Sequence, residues 1–424
     1  MLAARRWLVY GVSMSRGEQG RRASGAVFFI FVTVVLDVMA GTMVFPVLPK
    51  LITEVSPGSA ARTAELFGIL GTLFAVMQFV ASPVQGALSD SFGRRPVILA
   101  SCFGLCIDFV IMALAPNLAW LFLGRIISGV FAGSMSAANA YLVDVTLEES
   151  RARMFGYLFA AMGFGLAIGP AFGGWLAVFG IRAPFWAAAG LSLANALYGL
   201  LLLPESLARN NRVGFTAHSF NPFGAVTGLW RTYPRLIPWA LVTVVSALGA
   251  TGINVMFVVY TSYRYAWAPR DVGLLLTFYG LATIGVQMLL VPVLVRRLGE
   301  RLTMLLGYAV QVAAITWGGL ASTGSMFCAS IALLCLGVVA SPTQSAITSR
   351  LVGASDQGKL AGATRGLYNI PAIVGPALFA FIFAETIARG GRLLSGTPFL
   401  VAASLMAFAG AIAARITSGY SANR

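Results

Sequence analysis

Gly86-Ala87-Leu88-Ser89-Asp90-Ser91-Phe92-Gly93-Arg94-Arg95-Pro96 is a short charged turn set between two long apolar runs. It gathers one acid, two arginines and two glycines where nearly every flanking residue is hydrocarbon. Apolar runs of spanning length joined by such a turn predict membrane helices with their connection at the water interface.

Composition extends that reading to the whole chain. Of 424 residues, 58% are hydrophobic and 10% charged, and the mean hydropathy is +0.84. A soluble chain carries about 25% charged residues. The apolar content is spread evenly, so the class is a polytopic, all-α membrane protein. Cys102, Cys106, Cys328 and Cys335 lie inside apolar runs and show no metal-ligand spacing with the single histidine, His218. Neither a protein metal site nor a cofactor is expected. A net charge of +15 would also suit a nucleic-acid binder. Here the basic residues sit in the connections between apolar runs, as membrane topology requires, and no nucleic-acid partner is expected.

Residues 1–26 form a basic leader with Arg5, Arg6, Arg16, Arg21 and Arg22, and Met14 is an alternative start to Met1. Its apolar stretch is too short for a signal-peptide core. Apolar runs follow near 27–48, 65–88, 97–115, 119–143, 154–178, 185–203, 236–259, 271–294, 302–321, 326–348, 362–385 and 396–414. Each is long enough to cross roughly 30 Å of hydrocarbon; they are numbered spans 1 to 12. Of the 29 Lys and Arg residues, 21 lie on the side of the N-terminus, seven on the opposite side, and Arg125 inside a span. That bias predicts both termini in the cytoplasm.

The polar connection 204–235 divides the spans into an N-terminal bundle, 27–203, and a C-terminal bundle, 236–414, leaving a tail at 415–424. The halves repeat at an offset of 206: Phe92-Gly93-Arg94-Arg95 matches Leu298-Gly299-Glu300-Arg301, Gly169-Pro170 matches Gly375-Pro376, and Arg153 with Gly156 matches Lys359 with Gly362. Two pseudo-symmetric six-helix bundles, with a substrate site between them at mid-membrane, are the architecture this predicts. The same shift turns Asp37 into Thr243, Asp108 into Ala314, Arg125 into Ile331, Asp90 into Arg296 and Asp144 into Arg350. Proton chemistry is therefore expected in the first half alone.

Asp37, Asp108 and Arg125 are the fully embedded ionisable residues. Each charge at a helix centre costs about 2.5–3.5 kcal/mol, so three cost roughly 9 kcal/mol unless paired or neutralised. Desolvation favours a neutral carboxyl and a nearby arginine an ionised one, so an aspartate close to Arg125 can alternate between the two, as a proton carrier must. A static buried ion pair that fixes helix register is the alternative, and either carboxylate could also face a substrate cation. In span 5, Gly163-Phe164-Gly165-Leu166-Ala167-Ile168-Gly169-Pro170-Ala171-Phe172-Gly173-Gly174 is dense in small residues, which let helices approach closely. Pro170 removes a backbone hydrogen bond there.

The turn Gly86–Pro96 resembles the loop between helices 2 and 3 of the major facilitator superfamily, with Gly86, Ser89, Asp90, Gly93, Arg94, Arg95 and the later Asp144 as its gating residues. Leu123-Gly124-Arg125-Ile126-Ile127-Ser128-Gly129-Val130-Phe131-Ala132-Gly133 resembles the arginine motif of the drug:proton branch. Leu36-Asp37 through Pro46-Val47-Leu48-Pro49 resembles its first-helix motif, and Gly165, Gly169, Pro170, Gly173 and Gly174 its antiporter motif. From Val27 onward the chain is most similar to bacterial tetracycline efflux pumps, including Ala140-Tyr141-Leu142-Val143-Asp144-Val145-Thr146, Asn221-Pro222 and Val374-Gly375-Pro376-Ala377-Leu378-Phe379.

The resemblance implies exchange of a proton for a drug chelated to a divalent metal, with Asp37, Gln78, Ser89, Asp90, Arg94, Asp108, Arg125 and Asp144 at positions the family relies on. Three positions depart from the pattern: Ser91 replaces a basic residue, Thr283 a histidine and Gln311 an acid. The last two lie on the half associated with substrate coupling, so the resemblance reaches the proton further than the cargo. Polar candidates for the cavity wall are Gln78, Asn254, Thr283, Gln287, Gln311, Gln344, Tyr368 and Asn369; an interhelical hydrogen bond is the plainer role for each amide.

The function expected is proton-coupled antiport of a drug or other amphiphile out of a bacterial cell across the inner membrane, by a monomer working through alternating access. A transporter of the same scaffold for a sugar or metabolite is the alternative, followed by a sensor that has lost transport. No Ser/His/Asp, metal or phosphate-loop constellation points to an enzyme.

Overall fold

The computed structural model describes residues 16–132, 134–146, 150–212, 230, 232–353 and 356–421. Met14, Gly133, His218 and Asn221-Pro222 lie outside the described residues, as do most of the leader and of the 204–235 connection. Among the described residues every regular element is helical.

Among the described residues ten helices are long and apolar enough to cross a membrane, or eleven when the bent pair Phe28–Met43 and Leu48–Val55 counts as one span. One of them, Pro269–Leu320, runs for 52 residues, which at 1.5 Å per residue is about 78 Å, more than two hydrocarbon thicknesses. It turns at Gly299, where φ is 76°, and so supplies spans 8 and 9. The twelve spans are accounted for in this way.

Span 1 is Arg16–Met43 continued, after a 47° bend at Val44–Val47, as Leu48–Val55. Pro46, within the bend, has no N–H to continue the ladder. Spans 2 and 3 are Ala60–Phe92 and Arg94–Leu114, separated by Gly93 alone. Span 4 is Leu118–Phe131 and Ser134–Val145, span 5 Arg151–Leu176, and span 6 Ala183–Leu202. Span 7 is Ile237–Tyr265, span 10 Gly324–Gly337 and Ala340–Ser349, span 11 Gln357–Leu394, and span 12 Thr397–Ser421. Most helices overrun the apolar stretches that predict them. Hydropathy marks only the part immersed in hydrocarbon, whereas a helix continues until a cap or a breaker stops it. Span 2 is one case: the Ser59 hydroxyl caps its start by accepting from the Arg62 amide at 3.2 Å, and Gly93 ends it at φ 110°.

The duplication is structural as well as textual. Gly93 and Gly299, 206 apart, are both at positive φ, where a side chain is disfavoured. The helix of span 4 gives way to a turn at Ala132 and that of span 10 at Val338, at the same offset.

The bundles meet through two reciprocal pairs, span 2 with span 11 and span 5 with span 8. Gly68 faces Pro376 and Ala380, Gly174 faces Pro269, and Gly273 faces Pro170 so closely that a Cβ on any of the three would fall within 2.5 Å of a backbone oxygen. The Thr72 hydroxyl donates to the Ile373 carbonyl at 2.9 Å and accepts from the Ala377 amide at 3.1 Å. It thus stands between the two groups that a regular i→i−4 bond of span 11 would join. Thr277 answers from span 8, donating to the Ala167 carbonyl at 2.5 Å, and Ala167 is the counterpart of Ile373. These contacts cluster towards the membrane face opposite the Gly93 and Gly299 turns. There one hydrophobic core runs through both bundles, whereas the core on the turn side of the first bundle is its own. Large apolar side chains such as Leu201, Met288, Leu289 and Phe381 point outward, 61–80% exposed, as expected where the solvent is lipid.

Candidate functional site

The charged turn closes on itself and on the end of span 6. Arg94 Nη1 donates to Asp90 Oδ1 and, at 3.2 Å, to Ser89 Oγ, while Arg94 Nε donates to Asp144 Oδ2 at 3.1 Å. The Arg94 amide, first of span 3, donates to Glu205 Oε1 at 2.9 Å. A carboxylate is thereby placed at a positive helix terminus. A Cβ on Gly93 would fall 2.3 Å from Glu205 Oε2, so this docking adds a steric reason for the glycine. Ser206 donates to Asp144 at 3.0 Å, and Arg95 holds the Leu200 carbonyl at 2.7 Å. Glu205 and Ser206 escaped sequence reasoning because they sit at the edge of a connection read as linker. The Pro204-Glu205-Ser206 acid directly after a span was the available signal.

Asp108 and Arg125 come together: Arg125 Nη2 reaches Asp108 Oδ2 at 3.4 Å, with the side chains 0% and 12% exposed. Gly124 makes the approach possible, since a Cβ there would lie 2.7 Å from Asp108 Oδ1. The guanidinium also lies 5.8 Å from the Phe74 ring centroid, a cation–π contact from span 2. Asp37 is half-buried on span 1 and interacts electrostatically with Cys102, on a different stretch of span 3 from Asp108. Of the three embedded charges, Asp108 and Arg125 thus pair across spans 3 and 4, while Asp37 stands on span 1.

The small-residue motif of span 5 is a packing face with two sides. Gly165, Gly169 and Gly173, four apart, lie against the backbone of Val35, Met39 and Met43 on span 1; Gly174 turns to Pro269 on span 8. The Thr42 hydroxyl adds a hydrogen bond to the Gly165 carbonyl at 3.2 Å. Span 1, which carries Asp37, is therefore locked to the span that contacts the other bundle.

A cavity of about 510 Å³ opens on the turn side of the C-terminal bundle, within the range of roughly 300–1,000 Å³ usual for ligand pockets. Trp239, Thr243, Gln344, Arg365 and Tyr368 line it, with Met162 from span 5 as the wall from the first bundle. Among its described lining residues Arg365 is the one ionised side chain. Gln344 is fixed by Tyr308, which donates to its carbonyl oxygen at 2.5 Å, and its own amide donates to Thr243 at 3.0 Å. Thr243 stands where Asp37 stands in the first half.

Of the cavity candidates, Gln344 and Tyr368 line this space. Gln311 donates to the Gly337 carbonyl at 2.8 Å and Thr283 to the Gly280 carbonyl at 2.8 Å. Asn254 and Gln287 are exposed on spans 7 and 8, Gln287 within a wide turn at Val286–Leu290. Gln78 and Asn369 are half-buried outside the lining of this cavity. Trp239 and Arg365, which also line the cavity, were missed. At the edge of the same cavity Asp356, outside the spans, is held below the usual carboxylate range by hydrogen bonds from Lys359 and Tyr233.

A family model described as Major Facilitator Superfamily matches residues 30–260 and 239–419. The class C tetracycline resistance protein of Escherichia coli is 33% identical over 386 residues, 91% of this chain and 95% of that protein. The class G protein of Vibrio anguillarum is 36% identical over 357 residues, 83% and 88% of the two chains. The crystal structure of the human organic anion transporter MFSD10 superposes with a TM-score of 0.66 at 21% identity, covering 92% of this chain and 99% of that one, a likeness of fold.

Proposed function

Because the chain belongs to the Major Facilitator Superfamily, we propose that it is a proton-coupled antiporter that exports an amphiphilic drug of the tetracycline type, free or as its divalent metal chelate. The observation that carries this reading is the division of labour between the bundles. The first holds Asp37 and the Asp108–Arg125 pair inside the membrane. The second has Thr243, Ala314 and Ile331 at the equivalent positions and offers a largely uncharged, aromatic-walled cavity. The names of the relatives support the drug class, and Asp37 together with the Asp108–Arg125 pair supports the proton coupling.

The excess of Lys and Arg on the side of the Gly93 and Gly299 turns supports a cytoplasmic position for that face, and with it for both termini. The protein then sits in the bacterial plasma membrane, works as a monomer, and stands here closed towards the outside with its cavity open to the cytoplasm. A drug enters from the cytoplasm against Trp239, Gln344 and Tyr368. Closure of the turn side and opening of the Thr72 and Thr277 contacts expose it outward. Asp37 then takes a proton from outside and releases it inside as the cycle resets. One proton moving through a potential of about 100 mV supplies roughly 2.3 kcal/mol, enough for an outward drug gradient of tens-fold.

Expression of wild type and Asp37→Asn in an efflux-deficient host, across tetracyclines and unrelated cationic and neutral drugs, tests the reading. Resistance to tetracyclines from the wild type and none from the inserted, folded variant is expected. Equal resistance from both would remove Asp37 as the coupling residue, and no resistance to any drug from the wild type would remove the drug.

A further inference from the structure

Four polar side chains are buried between spans 1, 3 and 6, away from the cavity: Thr33, Cys102, Ser192 and Asn195, each at most 3% exposed. Asn195 Nδ2 donates to the Thr33 carbonyl at 3.1 Å and to Cys102 Sγ at 3.6 Å, which ties the three spans at one level. Thr33 Oγ1, Ser192 Oγ and Asn195 Oδ1 have no hydrogen-bond partner among the described residues. Elsewhere hydroxyls within the spans bond back to their own helix, as Thr42 of span 1, Thr243 and Thr261 of span 7 and Thr386 of span 11 do. Three unpaired atoms in one wedge are a departure from that habit, and ordered water is the usual partner of such groups.

Helix register leads from the wedge to Asp37. Phe29 stacks on Tyr198 with ring centroids 4.5 Å apart, and one turn on, Thr33 meets Asn195. Spans 1 and 6 are antiparallel, so a further turn sets Asp37 at the level of Ser192. Span 3 follows the same ladder, with Leu99 against Gly199 and Cys102 against Asn195; Cys102 is the residue with which Asp37 interacts electrostatically. In the other direction the fully buried Tyr141, in one apolar cluster with Cys102, has its hydroxyl unpartnered among the described residues. It lies about one turn before Asp144 of the charged turn. The Asp108–Arg125 pair, the other charges embedded in the first bundle, lies further along span 3 on the span 4 side.

We propose that this wedge is a hydrated proton access to Asp37, separate from the drug cavity. Water held by Thr33, Ser192 and Asn195 accepts the proton leaving the Asp37 carboxyl and passes one on, by way of the Tyr141 hydroxyl, to the carboxylates Asp144 and Glu205 at the turn face. Each oxygen on the path gains one proton and gives one up, so the sum is one proton from Asp37 to solvent. The separation lets Asp37 discharge inward while drug occupies the cavity. This inference rests on the reading of Asp37 as the proton carrier.

The combined variant Thr33→Val, Ser192→Ala removes two of the holding oxygens with little change in volume. In proteoliposomes with tetracycline as probe, uptake driven by a pH gradient should fall about tenfold or more, as loss of a positioned proton relay does. Tetracycline counterflow at equal pH, which asks no proton to leave Asp37, should be unchanged. Thr33→Ser, which keeps the hydroxyl, should keep coupling. Loss of both uptake and counterflow, or of neither, would overturn the proposal. Should the double variant fail to insert, the wild type still decides: brief radiolysis of bound water should oxidise Cys102 despite its 1% exposure. A Cys102 left unlabelled beside labelled exposed methionines would overturn the hydrated wedge. If the wild type moves no tetracycline, the proposed substrate falls, and the Cys102 footprint alone settles the wedge.

Discussion

Glu300 accepts a hydrogen bond from Arg350, fifty residues further on, at 2.6 Å; Arg94 and Asp144, also fifty apart, make the same contact in the first bundle at 3.1 Å with the signs reversed. The two pairs occupy equivalent positions at the offset of 206. Compared residue by residue, the halves read as having lost the acid Asp144 to Arg350. Compared as pairs, they conserve an ion pair between the start of one span and the end of the next. The C-terminal pair is the weaker, since Arg350 is 73% exposed, whereas the Arg94 side chain is 11% exposed and shared among Ser89, Asp90 and Asp144.

This relationship predicts that Arg350→Glu alone slows transport and that Glu300→Arg in the same chain restores it, because the reversed pair reproduces the arrangement of the first bundle. Double-mutant cycles on transport rate should give a coupling of about 0.2–1 kcal/mol for the exposed pair. Additive effects of the two changes would show that the contact does no work.

Arg125→Gln leaves Asp108 buried without its partner and should cost about 3–5 kcal/mol, read as a large drop in thermal stability in detergent. Adding Asp108→Asn should recover most of that stability without recovering transport driven by a pH gradient. Full transport by the double variant would make the pair a static brace of helix register.

Thr72→Val removes the hydroxyl that stands between Ile373 and Ala377, and span 11 can then close its own i→i−4 bond. Stability should change by only about 1 kcal/mol, the net worth of such hydrogen bonds. The balance of states should change more. Spin-label distances between the Ser59 end of span 2 and the Leu394 end of span 11 are expected to shift towards the separated population; an unaltered distribution counts against a clasp.

Gly173→Ala puts a Cβ 1.8 Å from the Met43 carbonyl oxygen, and Gly169→Ala one 2.0 Å from Thr42 Oγ1. Overpacking of this kind costs about 1–3 kcal/mol, so both variants should melt earlier than wild type. Gly156→Ala, where a Cβ meets nothing within 4 Å, should be neutral or gain about 0.5–1 kcal/mol from the lower entropy cost of alanine in a helix. Equal melting of Gly173→Ala and Gly156→Ala would show that the spans part easily.

Much of the architecture is written locally. Twelve apolar runs, the 206-residue repeat and the turns at Gly93 and Gly299 follow from transfer free energy and backbone stereochemistry, both of which act residue by residue. So does the prominence of Asp37, Asp108 and Arg125, because a charge among hydrocarbon is costly whatever surrounds it. Partnership was not legible. That Arg125 takes Asp108, that Glu205 docks on Gly93, that Asn195 joins Thr33 to Cys102, and that Thr72 enters the backbone of span 11 all depend on how each helix is rotated about its own axis. In water a helix announces that rotation by burying one apolar stripe. In lipid it is apolar on every side, so the rotation is decided only when Gly165, Gly169, Gly173 and their counterparts let neighbouring backbones close together.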